Sequence, residues 1–331
     1  MKSQSLPVHD MWIDECEQRK TIPVATMPAD LLKGLLRCSK VEYEENKCCR
    51  IVTQQVPLDV FSLWLQTVYP KKNMLLRPQT PFRNIILHVM LGSDVVTMIR
   101  SGETVCLGSG FMDMFNLTRY PNEAPLQKDQ GFLSLHINIQ PKKVKELVKW
   151  FPELAGLKDK KIMKVDGKVN KTSLRLNEVS WPIVLDILTC RYIGEAADVY
   201  LRRHSVNLLL LFERMVDKPD HGLSERNRKK VEECFDFLKD HYVDQHTVKQ
   251  MAERFRLNAR VLHEGFQAMF GCTIRQFQLD QRLRRAYRYM METRTPFGMV
   301  AVKTGFKSAR SLRNTFWGYY KCDPILLMRA Q

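Results

Sequence analysis

TVKQMAERFRLNARVLHEGFQAMF, residues 247–270, and PFGMVAVKTGFKSARSLRNTFWGYY, residues 296–320, state one pattern twice, about fifty residues apart. In the first, Thr247 caps a short helix over Val248–Phe255 whose Met251, Ala252 and Phe255 face inward, and the small side chain of Ala252 permits a close helix crossing. Leu257 plugs the turn, and Asn258 caps a second helix to Phe270 with Leu262, Phe266 and Met269 in the core. In the second, Pro296 starts a helix carrying Val300 and Ala301, Gly305 ends it and Phe306 plugs the turn. Ser308 then caps a helix with Leu312, Thr315, Phe316 and Tyr319 on its apolar side. Two short helices joined by a plugged turn are a helix-turn-helix.

The intervening segment predicts a helix over Ile274–Glu292 capped by Thr273. At about 1.5 Å per residue it spans roughly 28 Å, close to the roughly 34 Å repeat of a duplex, so one chain is expected to reach two successive major-groove segments. The outward N-terminal faces of the two second helices offer Arg260, His263 and Glu264 in one case and Ala309, Arg310, Arg313 and Asn314 in the other. Arginine donates to guanine or phosphate, asparagine pairs with adenine, glutamate accepts from cytosine and alanine lies against a thymine methyl. A solvated helix face is the alternative reading for each of them. A helix over Glu225–Asp240, with Val231, Phe235 and Leu238 inward, precedes the first pair.

Charge follows the same division. From Glu225 onward there are 21 Lys/Arg against 11 Asp/Glu, a net +10 of the +16 carried by all 331 residues. The shorter part of the chain therefore holds most of the excess, as a surface meeting phosphates requires. No apolar run reaches bilayer length and residues 1–10 lack a signal-peptide profile, so no membrane is expected and cytoplasm is the default location. Of nine cysteines only Cys48 and Cys49 are close in sequence, and adjacency is not zinc-ligand spacing. The other seven read as isolated thiols. No metal and no cofactor is expected.

The first half predicts short strands at Ile51–Thr53, Phe61–Val68, Asn84–Met90, Val95–Ile99 and Phe132–Ile139, an antiparallel sandwich or small barrel. On the last strand Phe132, Ser134, His136 and Asn138 share one face, expected to line a rim or polar cavity if Leu133, Leu135, Ile137 and Ile139 line the core, or the converse. His88 and His136 stand outside any ligand-spaced cluster and read as structural or pocket-lining. Residues 101–110 read as turn, short strand and turn, without the lysine of a phosphate loop. A helix over Lys142–Phe151, a surface hairpin around Gly167 within 158–171, and helices over Trp181–Tyr192 and Glu195–Met215 follow. Val199, Leu208, Leu209, Leu211 and Phe212 on the last serve either subunit packing or burial in their own domain.

The residues Ala252, Leu262, Phe266, Gly271, Gln281-Arg282-Leu283 to Ala286, Val300-Ala301, Gly305-Phe306, Ser308, Phe316 and Pro324 resemble the signature of the AraC/XylS family of bacterial transcription regulators. The resemblance covers Glu225 to the C-terminus. It implies sequence-specific binding of promoter DNA, commonly activation through RNA polymerase, with base contacts from Arg260, His263, Glu264, Ala309, Arg310, Ser311, Arg313 and Asn314. The chain departs from the family where Leu312 replaces an aromatic residue, Lys321 a glycine, and Leu327 and Met328 an aromatic-arginine pair, with Arg329 one place late.

The first half resembles, less specifically, the β-rich and often cupin-like sensor domains of such regulators, which bind a small effector or dimerise. The reading is an α+β chain with a β-rich sensor domain over 1–170, a helical dimerisation or interdomain segment over 171–218, a linker over 219–224 and a double helix-turn-helix domain over 225–331. It is expected to act as a regulator, under a small-molecule effector, a protein partner or homodimerisation, and not as an enzyme. A β-barrel enzyme would need convergent titratable groups around His88 and His136, and a nonspecific architectural binder would lack two ordered reading faces.

Overall fold

The computed structural model describes residues 11–13, 21–78, 82–99, 102–118, 122–216 and 222–329. The expectations for residues 1–10, for Ser101 and for the linker up to residue 221 lie outside them. The chain forms two compact units, Met1–Tyr192 with His204–Asp217, and Ile193–Arg203 with Lys218–Gln331.

The first unit is β-rich. Its strands are β1 (Met11–Ile13), β2 (Thr21–Ile22), β3 (Lys40–Glu45), β4 (Cys49–Leu58), β5 (Phe61–Pro70), β6 (Met74–Pro78), β7 (Asn84–Gly92), β8 (Val95–Met98), β9 (Thr104–Leu107), β10 (Phe111–Leu117), β11 (Ala124–Leu126), β12 (Phe132–Ile139), β13 (Gly167–Lys168) and β14 (Leu174–Arg175). They make three open sheets in which every described pairing is antiparallel. The largest runs β13-β10-β7-β12-β5-β4-β3-β2 with β14 also on β10, the second runs β1-β6-β11, and β8 pairs with β9 alone. The expected barrel is not closed. The large sheet ends in two-residue strands, β2 at one edge and β13 at the other, too short to build a closing ladder.

The large sheet and the β6–β11 sheet share a core, in which Ile51, Val68 and Met90 of the one meet Met74, Leu76 and Leu126 of the other. Burial of nearly every residue, on both faces, explains why β4, β5, β7 and β12 are so apolar. On β12, Leu135, Ile137 and Ile139 are fully buried on one face, and Phe132, Ser134 and Asn138 are buried on the other.

The hairpin expected around Gly167 does not form. Residues 160–164 are helical, and β13 and β14 both pair with β10 instead of each other. Asp113 on β10 is the reason. Its carboxylate is 1% exposed and accepts from Lys168 Nζ at 2.9 Å, Asn170 Nδ2 at 2.8 Å and Ser173 Oγ at 3.1 Å, so the segment is drawn onto the sheet to satisfy a buried charge. Strands β3, β6, β10 and β11, which propensity does not predict, are the partners that complete the sheets.

The helices are α1 (Ala29–Leu32), α2 (Val144–Trp150), α3 (Lys160–Lys164), α4 (Ser180–Leu188), α5 (Gly194–Met215), α6 (Glu225–Asp240), α7 (Val248–Arg254), α8 (Ala259–Phe270), α9 (Ile274–Glu292), α10 (Phe297–Lys303), α11 (Ala309–Tyr320) and α12 (Pro324–Arg329). Val199, Leu208, Leu209, Leu211 and Phe212 of α5 are all buried within the single chain. Of the two uses left open by the sequence, the apolar surface is therefore taken by intramolecular packing. Among the described residues no helix is long and apolar enough to cross a membrane. Seven described cysteines are free thiols and Cys48 is disulfide-bonded, so unpaired thiols do not account for every cysteine.

Candidate nucleic-acid interface

In the second unit α7 begins with a reciprocal cap, in which Gln250 N–H donates to Thr247 Oγ1 at 3.2 Å and Thr247 N–H to Gln250 Oε1 at 2.8 Å. Arg256, at φ 50, makes the turn, and Leu257 N–H donates to Ala252 O at 2.9 Å. Asn258 Oδ1 then accepts from Arg260 N–H at 2.8 Å and starts α8. The second pair repeats this chemistry. Gly305, at φ 72, makes the turn, Phe306 N–H donates to Ala301 O at 2.8 Å, and Ser308 Oγ accepts from Ser311 N–H at 3.1 Å to start α11. Lys307 stands between plug and cap, which makes the second turn one residue longer than the first.

Leu262 and Phe266 of α8, and Leu312 and Phe316 of α11, are fully buried, so each second helix is held by its inner face with its other face outward. Met269, expected in the core, is only half-buried; Phe270 takes the buried position and stacks on Phe235 of α6 at 4.3 Å. A Cβ on Gly265 would lie 3.0 Å from Leu223 Cδ1, so α8 makes a close approach there.

The long α9 ties the two pairs together from within. Arg282 is 5% exposed and donates from Nε to Thr304 O at 2.8 Å and from Nη2 to Gly305 O at 2.5 Å, with its guanidinium 4.0 Å from the Phe306 ring centroid. Burial depresses its pKa below the usual guanidinium range. Its carbonyl contacts satisfy turn acceptors that the glycine leaves open. Gln278 similarly ties down His246, whose N–H donates to Gln278 Oε1 at 2.9 Å and whose carbonyl accepts from Gln278 Nε2 at 2.9 Å. On the opposite side Tyr287 donates to Ala196 O, Tyr200 lies 5.0 Å from the Tyr287 ring, and Arg203 covers Tyr319 at 3.7 Å, so residues 194–203 of α5 complete this unit's core.

The eight residues singled out by sequence divide into two clusters, one on each second helix. On α8, Arg260 Nε donates to Glu264 Oε1 at 2.7 Å across one helical turn, with side chains 84% and 53% exposed. His263 lies beside them, half-buried. On α11, Arg310 and Asn314 are exposed and, among the described residues, make no hydrogen bond or ion pair. Ala309 and Ser311 are half-buried, and Ser311 spends its backbone N–H on the helix cap. Arg313 makes a forked ion pair with Asp323, with Nε 3.1 Å from both carboxylate oxygens. Asp323 sits ten residues on, beyond any helical period, and no local spacing signals that pairing. Lys307, exposed at the mouth of the second turn, is a further cation that the sequence reading passed over.

Residues 251–329 match the model of the family described as "Helix-turn-helix domain". The C-terminal region is all-α and carries a helix-turn-helix motif. The DNA-binding domain of AdpA, solved with a target DNA, is similar at 24% identity over 30% of this chain and 91% of that one, with a TM-score of 0.29. ToxT from Vibrio cholerae, solved with an unsaturated fatty acid, is similar at 11% identity over 82% of this chain and 96% of that one, with a TM-score of 0.32. A transcriptional regulator from Chromobacterium violaceum, described as containing an AraC-type DNA-binding domain, is similar at 19% identity over 33% and 96%, with a TM-score of 0.29. No curated protein matches.

Proposed function

We propose that the chain is a sequence-specific, promoter-binding transcription regulator of the AraC/XylS kind, an activator governed by a small-molecule effector. The observation that carries this reading is the pair of capped helices α8 and α11, one before and one after α9 in the chain, each presenting an exposed arginine in its first turn, Arg260 and Arg310. In this reading Arg310, Asn314 and Ala309 meet bases directly, Ser311 and Lys307 add contacts at the second reader, and Arg260, His263 and Glu264 form the first. Arg260 and Arg313 reach DNA by exchanging a carboxylate for phosphate or base.

The open β-sheets of the first unit serve as the sensor. The effector shifts the population of DNA-competent arrangements by binding one of them more tightly. RNA polymerase is the proposed partner at the promoter, and the cytoplasm the proposed location. The boundaries 1–170, 171–218, 219–224 and 225–331 describe this division of roles. His88 meets His136 at 4.9 Å between ring centroids in a cavity whose described lining residues include no carboxylate.

The test is genome-wide mapping of DNA bound by the full chain at stated salt. Sharp shared sites with a common motif are expected. Diffuse occupancy, with equal affinity for scrambled duplexes, would replace the regulator by an architectural binder.

A further inference from the structure

The first unit holds a partly open cavity of about 110 Å³ between the large sheet and the smaller ones. Its wall is mainly apolar, with Ile86 and Met90 of β7, Val95 of β8, Phe115 of β10 and Phe132 of β12 among the contributors. Among the described residues no Lys, Arg, Asp or Glu lines it. The polar groups come chiefly from one patch of the large sheet. Ser134 lies directly across from Gln66 and from Met90 on its two neighbouring strands, and His136 directly across from His88, so Gln66, Ser134, His136 and His88 share one face.

Two features of that patch point to an occupant. Gln66 is 5% exposed, and its Nε2 has no hydrogen-bond partner among the described residues, although it belongs to a side chain that lines the cavity. A buried amide donor left unmet is costly unless something in the cavity accepts from it. His88 is buried, and burial pushes its pKa down to about 4 against the opposing pull of Asp113. It is therefore neutral near pH 7, and Asp113 itself is committed to Lys168.

Size and charge narrow the class. A cavity of roughly 150 Å³ with an apolar lining holds benzene, so this one, at about 110 Å³ and partly open, is on the scale of a single small ring. Among the described lining residues a carboxylate would find no cation to meet it, and a sugar would bring several hydroxyls to a wall with few polar groups. We propose that the cavity binds an uncharged, single-ring organic molecule carrying one oxygen function, with that oxygen accepting from the Gln66 amide. This deepens the effector reading above and rests on it.

The test uses the full chain and three probes, namely phenol, benzoate and palmitoleate, followed by calorimetry and by the melting temperature. Saturable phenol binding is expected, with benzoate roughly tenfold weaker or worse, because benzoate's charge stays unpaired. Gln66→Leu should cut phenol affinity by roughly tenfold while leaving the melting temperature of the free protein unchanged or higher, since it removes an unmet donor; a purely structural Gln66 would lower it. Ile86→Trp, which fills the cavity, should abolish phenol binding, with circular dichroism confirming that the variant folds. Tighter binding of benzoate or palmitoleate than phenol, lost in Ile86→Trp, overturns the ligand class and leaves effector control standing. Failure of all three probes to bind also overturns the proposal. Effector control fails separately, if promoter affinity of the full chain is unchanged by a bacterial small-molecule extract.

Discussion

Gly305 is the most constrained backbone position in the helix-turn-helix region. Its φ of 72 is cheap only without a Cβ, and a Cβ there would lie 2.1 Å from the carbonyl oxygen of Val243. Gly305→Ala is expected to lose more than about 3 kcal/mol in urea unfolding, from strain and a backbone clash together. Arg310 gives the corresponding functional prediction. As an exposed guanidinium without a partner among the described residues, it should cost roughly 1–3 kcal/mol of specific binding when replaced by alanine, with relaxed preference at one base pair; anisotropy titrations against matched and mismatched duplexes would read this. A uniform loss on all sequences would make it a phosphate contact instead. At Glu264 two effects separate: Glu264→Ala releases Arg260 and removes a negative charge from the face, so affinity for scrambled duplexes should rise, while the preference for the cognate site should fall with the lost base contact. His88 supplies a pH dependence. With its folded pKa near 4 and its unfolded value near 6.5, the unfolded chain binds the extra proton first as pH falls, so stability drops between about pH 6.5 and 4 by at most about 3 kcal/mol. His88→Leu should remove that slope from urea melts recorded across this window.

At the scale of elements, the repeated turn shows how local chemistry and packing divide the work. Caps, plugs and small crossing residues were legible in the sequence because each acts within a few residues of itself: Thr247, Asn258 and Ser308 accept from the N–H groups that their spacing predicts. The partner of Arg313 and the carbonyl contacts of Arg282 were not legible, since Asp323 and Thr304 are brought near by folding alone. The same distinction holds in the β-rich unit. Strands with strong apolar alternation stood out, whereas β10 and β13 owe their pairing to the buried Asp113 and to the ligands collected around it. The barrel expectation failed for a related reason, because closure depends on edge strands that no periodicity describes. Lys321 is a departure from the family pattern with a physical meaning. It ends α11 at φ 57, where glycine carries no side-chain penalty, so Lys321→Gly should raise stability by about 0.5–1 kcal/mol, measurable as a higher urea midpoint with unchanged m-value.

For the molecule as a whole, the excess positive charge of the second part sets the salt response. If the helix faces meet phosphates, log affinity should fall linearly with log salt at about 0.9 per phosphate neutralised, and Lys307→Ala should reduce the slope by about one such step. A slope near zero would remove the basic surface from the account. The two readers also differ in a way that matters for the target. The second turn carries Lys307 as an extra residue, the first reader holds an internal Arg260–Glu264 pair, and the second leaves Arg310 open. A chain with unlike hands cannot grip a duplex equally well from either direction. Its sites should therefore have a heading, like an arrow painted on the promoter, and turning one site around without changing its distance from the start of transcription should silence it even though the affinity for DNA is untouched.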